Sequence, residues 1–415
     1  MNNNTTYKDS PLGKIPSDWE VKTLGEVCLL KGEYGINASA VEYSDELPTY
    51  IRITDIDDDG KYTAIKKASV DDENSQNFLL KKGDIVFART GATVGKTYLY
   101  NENDGDLVFA GFLIRYRPND CFLLPQHLNY FTSTKPYWDW VKKVSMRSGQ
   151  PGINAEEYSS LKLPLPSVLE QTRIAEVLSA WDKAISNVQA TIEQVELRNK
   201  WLMQELLSGK RRLKGFGGEW KEVKMKDVFD RIYNINDGDD KHSVMTISAK
   251  RGLISQEDKF DRVIAGDSLK KYTLLSKNDF AYNKGNSKTY QMGCIYQLED
   301  IESALVPFVY ICFSPTEKVY SAFYKHWFLA HGLDRQLNRI ITSGARGDGL
   351  LNVNTDEFFK LKIPYPTLEE QTGIAQVLQA ASNEVRVLRN KLDKLKEQKK
   401  GLMQVLLTGK KRLKI

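Results

Sequence analysis

Long apolar runs, clustered cysteines and histidines are all scarce in this chain of 415 residues. Its longest apolar stretch, LVPFVYICF at 305–313, falls far short of the about 20 residues that cross a bilayer. The opening MNNNTTYKDS carries no apolar core of a secretory signal, so neither a membrane nor an exported protein is expected, and a cytoplasmic location is. The four cysteines, Cys28, Cys121, Cys294 and Cys312, form no Cys-x-x-Cys pair, which fits reduced, buried thiols rather than a zinc site or disulfide frame. Of the four histidines, His326 and His331 lie five apart, a spacing that does not stack two ligands on one helix face; core or surface histidines are expected. The hydrolase and metalloprotease patterns G-x-S-x-G and H-E-x-x-H do not occur, and the acidic DIDDDG at 55–60 reads as a solvated turn rather than a metal site.

What is present is ordinary for a globular protein: 41% hydrophobic and 27% charged residues, with a length that calls for two or more domains. A net charge of +5 permits a polyanionic partner without requiring one. The stretch FARTGATVGKTYLY at 87–100 resembles a phosphate cradle only superficially. Three residues, not four, separate Gly91 from the Gly95-Lys96-Thr97 triplet, and the β-branched and aromatic KTYLY that follows predicts a strand where a cradle would open a helix. The reading is strand, basic glycine loop, strand.

The chain repeats itself. LKLPLPSVLEQTRIAEVL from Leu161 returns as LKIPYPTLEEQTGIAQVL from Leu361, and KWLMQELLSGKRRLK from Lys200 as KGLMQVLLTGKKRLK from Lys400, so that 23 of 54 positions agree at a constant offset of 200. Each copy predicts a long helix. Ser167 with Glu170, and Thr367 with Glu370, fit capping boxes, and Gly209 and Gly409 stand where left-handed C-caps belong. Leu178, Trp181, Ile185, Val188, Ile192 and Val195 in the first copy, and Leu378, Val385, Leu388, Leu392 and Leu395 in the second, keep a 3.5-residue period, the pattern of a coiled-coil seam. Asn199 and Lys399 are polar intrusions in it; each is either a register-setting residue or a locally exposed one. The expected fold is α+β: two globular domains of mixed α/β structure, 1–160 and 215–360, alternating with two helical segments, 161–214 and 361–415, that pack as antiparallel coiled-coil helices in a pseudo-two-fold repeat.

The domains share landmarks. KKGDIVFARTG at Lys81 recurs as SKNDFAYNKGN at Ser276, and RSGQPGIN at Arg147 answers to TSGARGDGLLN at Thr342. Arg reads guanine, Asn and Gln read adenine, and Lys or Thr anchors phosphates, so these loops hold the inventory for reading DNA edges. The candidates are Arg52, Thr54, Arg89, Thr90, Lys96, Arg147 and Gln150 in the first domain, and Lys250, Arg251, Asn283, Lys284, Asn286, Lys288 and Arg346 in the second. Glycines 91, 95, 149 and 152 would let the backbone approach a groove wall. No catalytic residue and no metal ligand stands out.

The doubled LPLPSVLEQTRIAEVL and IPYPTLEEQTGIAQVL, the doubled LMQELLSGKRRL and LMQVLLTGKKRL, and SDWEVKTLGEV near the start resemble the specificity subunit of type I restriction-modification systems. The resemblance implies two target-recognition domains, each reading one half of a bipartite duplex DNA site, and two helices that dock modification subunits, the adenine methyltransferases. Restriction subunits, an ATP-dependent nuclease and translocase, complete the complex. S-adenosylmethionine, ATP and Mg2+ would be used by those partners, and this chain would be non-catalytic and bind no cofactor. Two other readings remain: a stand-alone nuclease with an unrecognised site, and a coiled-coil tether whose terminal domains bind protein.

Overall fold

The computed structural model describes residues 6–146, 150–236, 238, 242–249, 251–263, 266–341 and 350–413. The chain divides into two compact units, Met1–Gln189 with Asn390–Ile415, and Ala190–Arg389. The division falls inside both long helices, so each unit owns one globular domain and a part of each helix.

In the first unit two four-stranded sheets pack against each other. One has the order Cys28–Tyr34, Leu113–Pro118, Ile85–Ala88, Thr97–Leu99, and the other Leu107–Phe109, Thr49–Ile51, Ala68–Val70, Ala40–Glu42. The run IVFA shows why the two sheets pack. Successive strand residues point to opposite faces, and Ile85 and Phe87 enter one core with Ile114 and Tyr116 while Val86 and Ala88 enter another with Phe109 and Leu113. All four are fully buried, as befits a strand covered on both sides. The short helices Pro125–Phe131 and Lys135–Ser145 cover the first core, and the strand Lys162–Leu165 returns antiparallel to Glu20–Thr23 before the long helix starts.

The second unit repeats this plan. Its sheets have the orders Phe229–Arg231, Ile311–Pro315, Phe280–Asn283, Cys294–Gln297 and Gly252–Ser255, Ser243–Ser248, Ser303–Val306, Thr273–Ser276. Phe280 and Tyr282 face one core and Ala281 the other, and Lys362–Tyr365 pairs antiparallel with Lys221–Lys224. In each unit one strand pair of the second sheet is parallel, Leu107–Phe109 with Thr49–Ile51 and Ser303–Val306 with Ser243–Ser248.

The long helices span Val168–Leu207 and Leu368–Leu406. Glu170 N–H donates to Ser167 Oγ at 3.3 Å and Glu370 N–H to Thr367 Oγ1 at 3.4 Å, which is the hydroxyl half of the expected capping boxes; the carboxylates are committed elsewhere, as described below. Gly209 and Gly409 end the helices with φ of 71° and 73°, a left-handed conformation glycine adopts without strain. Of the seam positions, Leu178, Ile185, Ile192, Val195 and Leu378 are buried, and Trp181, Val188, Val385, Leu388, Leu392 and Leu395 are half-buried. Within the first unit Ile174 and Leu178 pack on Met403, Leu406 and Leu407, so the helical portions there run antiparallel; within the second, Glu196 with Arg389 and Arg198 with Glu384 give the same sense.

Of the cysteines, none in a disulfide, Cys28, Cys294 and Cys312 are buried and Cys121 is exposed. Among the described residues no helix is long and apolar enough to cross a membrane.

Candidate nucleic-acid interface

The strand Ile85–Ala88 leads through the basic loop into Thr97–Leu99, with Phe87 opposite Thr97. A second segment stitches this loop in place. Gly91 N–H donates to Pro151 O at 3.0 Å, Ile153 N–H to Arg89 O at 2.9 Å, and Thr90 bridges Gly152. Arg89, Thr90 and Gln150 therefore share one patch, and a Cβ added to Gly91 would stand 3.2 Å from Gln150 Nε2. Gly95 is explained differently: at φ 88° its missing Cβ leaves room for Val141 and Trp138, so it serves internal packing. Lys96 reaches Asp58 at 2.6 Å, and its hydrogen bond and charge hold the Asp58 carboxyl below the usual carboxylate range.

Arg52 and Thr54 are set apart from that patch by their partners. Arg52 Nε and Nη2 clamp Asp55 at 2.8 Å each, and Nη2 also donates to Lys66 O at 2.9 Å; its planar fork is engaged within the fold. Thr54 is exposed on the same short turn, Ile53–Asp55. The DIDDDG acids thus divide. Asp55 is buried in its ion pair, contrary to a wholly solvated turn, while Asp57 accepts from Asp59 and Lys61 N–H groups at 2.9 and 2.8 Å and caps the turn.

The second domain carries the same stitch. Leu351 N–H donates to Lys284 O at 2.9 Å and Gly285 bridges Leu350. Asn283 Oδ1 accepts from Gly285 N–H at 2.9 Å, while Asn286 and Lys288 are exposed beyond it. Arg251 is exposed at the turn between Ser243–Ser248 and Gly252–Ser255, with Nη1 3.4 Å from Asp258 O. Arg147, Gly149, Lys250 and Arg346 lie outside the described residues.

Each domain also exposes aromatic residues that were not legible as site residues, and in the first domain two of them adjoin Arg89. Tyr34, Phe112, Tyr233 and Phe308 are 42%, 59%, 72% and 55% exposed. The Arg89 guanidinium lies over the Tyr34 ring at 4.8 Å and that of Arg231 over Tyr233 at 4.6 Å, and Arg89 N–H donates to Phe112 O at 3.0 Å. In sequence, Phe112 hides inside LVFAGFLIRY, an apolar run that reads as core.

The shared Glu-Gln-Thr at each helix start has a structural task. Glu170 receives Trp19 Nε1 at 3.0 Å and Arg412, and Glu370 receives Trp220 Nε1 at 3.0 Å and Arg212. Gln171 ties Leu124 N–H at 2.8 Å to Phe122 O at 2.7 Å, and Gln371 holds Tyr320 N–H at 2.8 Å. His326 is buried in the core, whereas His331 pairs with Asp334 at 2.8 Å and stacks on Tyr290. Among the described residues no group of three or more His, Cys, Asp or Glu is placed to hold a metal.

Two α/β domains of one plan, each of two four-stranded sheets with a stitched basic loop, alternating with two long helices, define a duplicated recognition chain. The model of the type I restriction modification DNA specificity domain matches residues 16–197 and 217–397, and the chain belongs to that family. It is 23% identical over 425 residues to the type I restriction enzyme MjaVIII specificity subunit of Methanocaldococcus jannaschii, covering 97% of this chain and 95% of that protein. In fold it is similar to the crystal structure of the HsdS subunit from Thermoanaerobacter tengcongensis, with a TM-score of 0.51, 17% identity and coverage of 95% and 98%. It is likewise similar to the type I restriction-modification S subunit from M. genitalium, with a TM-score of 0.54, 13% identity and coverage of 98% and 97%.

Proposed function

We propose that this chain is the sequence-reading subunit of a type I restriction-modification complex, in which the stitched loop of each domain reads one half of a bipartite duplex site. The observation that carries this is the recurrence, in both family-matched domains, of a basic loop held by the same two backbone contacts, at Arg89 and Ile153 and at Lys284 and Leu351. Arg, Asn, Gln and Lys side chains on a backbone held in this way suit base edges and phosphates. In this reading the segments 161–214 and 361–415 dock two modification subunits, restriction subunits join them, and the complex works in the cytoplasm. S-adenosylmethionine, ATP and Mg2+ belong to those partners, and this chain itself turns nothing over. The target adenines are flipped out of the duplex by the partner methyltransferases.

Methylome sequencing of cells carrying this chain and its modification subunit, against a deletion of the chain, tests the function. A bipartite N6-methyladenine motif that disappears on deletion is the expected outcome. An unchanged methylome with the modification subunit expressed contradicts it.

A further inference from the structure

We propose that Phe112 and Phe308 are apolar reading elements, each pressing its ring against base faces in one half-site; this rests on the DNA-reading function proposed above. Each phenylalanine occupies a four-residue turn closed by one hydrogen bond, Leu113 N–H to Ala110 O at 2.8 Å and Tyr310 N–H to Pro307 O at 3.0 Å. Each turn joins the two sheets of its domain, leading from Leu107–Phe109 into Leu113–Pro118 and from Ser303–Val306 into Ile311–Pro315. Phe109 and Leu113 flank the first turn and Val306 and Ile311 the second, and all four are buried. The backbone of each turn is therefore anchored at both ends.

A single exposed phenylalanine needs no explanation. Here the two turns, AGFL and PFVY, share no residue at any aligned position, yet each leaves one phenyl ring more than half exposed. Phe112 has charged and aromatic company: the Arg89 backbone N–H donates to its carbonyl and the Arg89 guanidinium lies over Tyr34. In the other domain Arg231, whose guanidinium lies over Tyr233, ends the strand that pairs with Ile311–Pro315, the strand that the Phe308 turn leads into. A flat apolar face within a cationic rim complements a polyanion that itself presents flat apolar surfaces. Duplex DNA does so through thymine methyl groups and through base steps that an apolar wedge can part.

The test uses the full chain assembled with its modification subunits and a random duplex library, the bound duplexes being sequenced. Phe112→Ala is expected to lower enrichment about tenfold at one or two positions of one half-site, with the other half-site unchanged as an internal control for assembly. Phe308→Ala gives the mirror image. Phe112→Leu, which keeps apolar bulk but no flat ring, melts as the parent does and keeps part of the enrichment that Phe112→Ala loses. The slope of log affinity against log salt stays as in the parent, because a phenyl ring neutralises no phosphate. Unchanged enrichment at both half-sites overturns the proposal. Loss of a modification subunit in place of a half-site change overturns it in favour of protein docking. A parent complex that selects no bipartite motif overturns the DNA-reading function itself, and this proposal with it.

Discussion

The Glu170 carboxylate receives the Arg412 guanidinium through two hydrogen bonds, Nε to Oε1 at 2.9 Å and Nη2 to Oε2 at 2.6 Å, across 242 positions of sequence. Trp19 Nε1 donates to the same carboxylate at 3.0 Å, and the Glu170 side chain is 1% exposed. Three distant segments of one unit are thereby tied by one buried charge.

Removing a partner from such a charge is more damaging than the pair is stabilising, because a buried carboxylate is left without compensation. Arg412→Ala should lower the unfolding free energy by about 3 kcal/mol. Chemical denaturation checks this, and a change under about 0.5 kcal/mol, the size of an exposed ion pair, contradicts it. Arg212→Ala, which strips Glu370, should act alike.

The seam pair offers a contrast. Lys399 Nζ meets Asp182 Oδ1 at 2.6 Å, but Asp182 is 43% exposed and also accepts from Tyr130 Oη at 2.8 Å. Lys399→Met should therefore change stability by about 1 kcal/mol or less. A loss matching that of Arg412→Ala in the same denaturation series would show that solvent does not compensate Asp182.

Burial lowers the His127 imidazole to about 4, and burial with the nearby Lys325 charge lowers His326 to about 4. Both ring nitrogens of His127 lie buried without a hydrogen-bond partner. The unfolded chain takes up these protons near pH 6.5 while the fold refuses them until about pH 4. Stability is thus fully present above about 6.5 and is lost as pH falls toward 4, by about 3 kcal/mol per histidine. His127→Leu should flatten this acid limb in melts recorded from pH 7 to 4.5; an unaltered slope would contradict the linkage.

Arg89 and Gln150 share the patch that Asn283 and Lys284 mirror in the other domain. Arg89→Ala should weaken recognition of one half-site by about 1–3 kcal/mol and leave the other intact. Equal loss at both half-sites, read from the methylated motif, would refute the two-reader arrangement.

Exchanging residues 215–360 for the matching segment of a relative should replace only the half-site that Arg89→Ala leaves intact. The methylome of the exchanged chain reads this directly, and an unaltered motif would place specificity elsewhere.

What the sequence determined by itself was whatever short-range periodicity or repetition encodes: the duplicated plan, both long helices with their glycine ends, the seam, and the strand–loop–strand around Gly91. The two polar seam positions stayed ambiguous there because exposure and pairing follow the same pattern; tertiary structure decided for pairing, with Asn199 Nδ2 on Ala381 O at 2.8 Å and Lys399 on Asp182. It also decided what Glu170 and Glu370 hold. A carboxylate three residues into a helix suits a capping box locally, but an arginine hundreds of residues away offers two charge-assisted bonds, and these are stronger. Arg52 and Arg89 look equivalent in sequence. Folding set a buried aspartate against Arg52 and an exposed tyrosine ring against Arg89, and such differences between like residues arise only from contacts that the order of residues does not display.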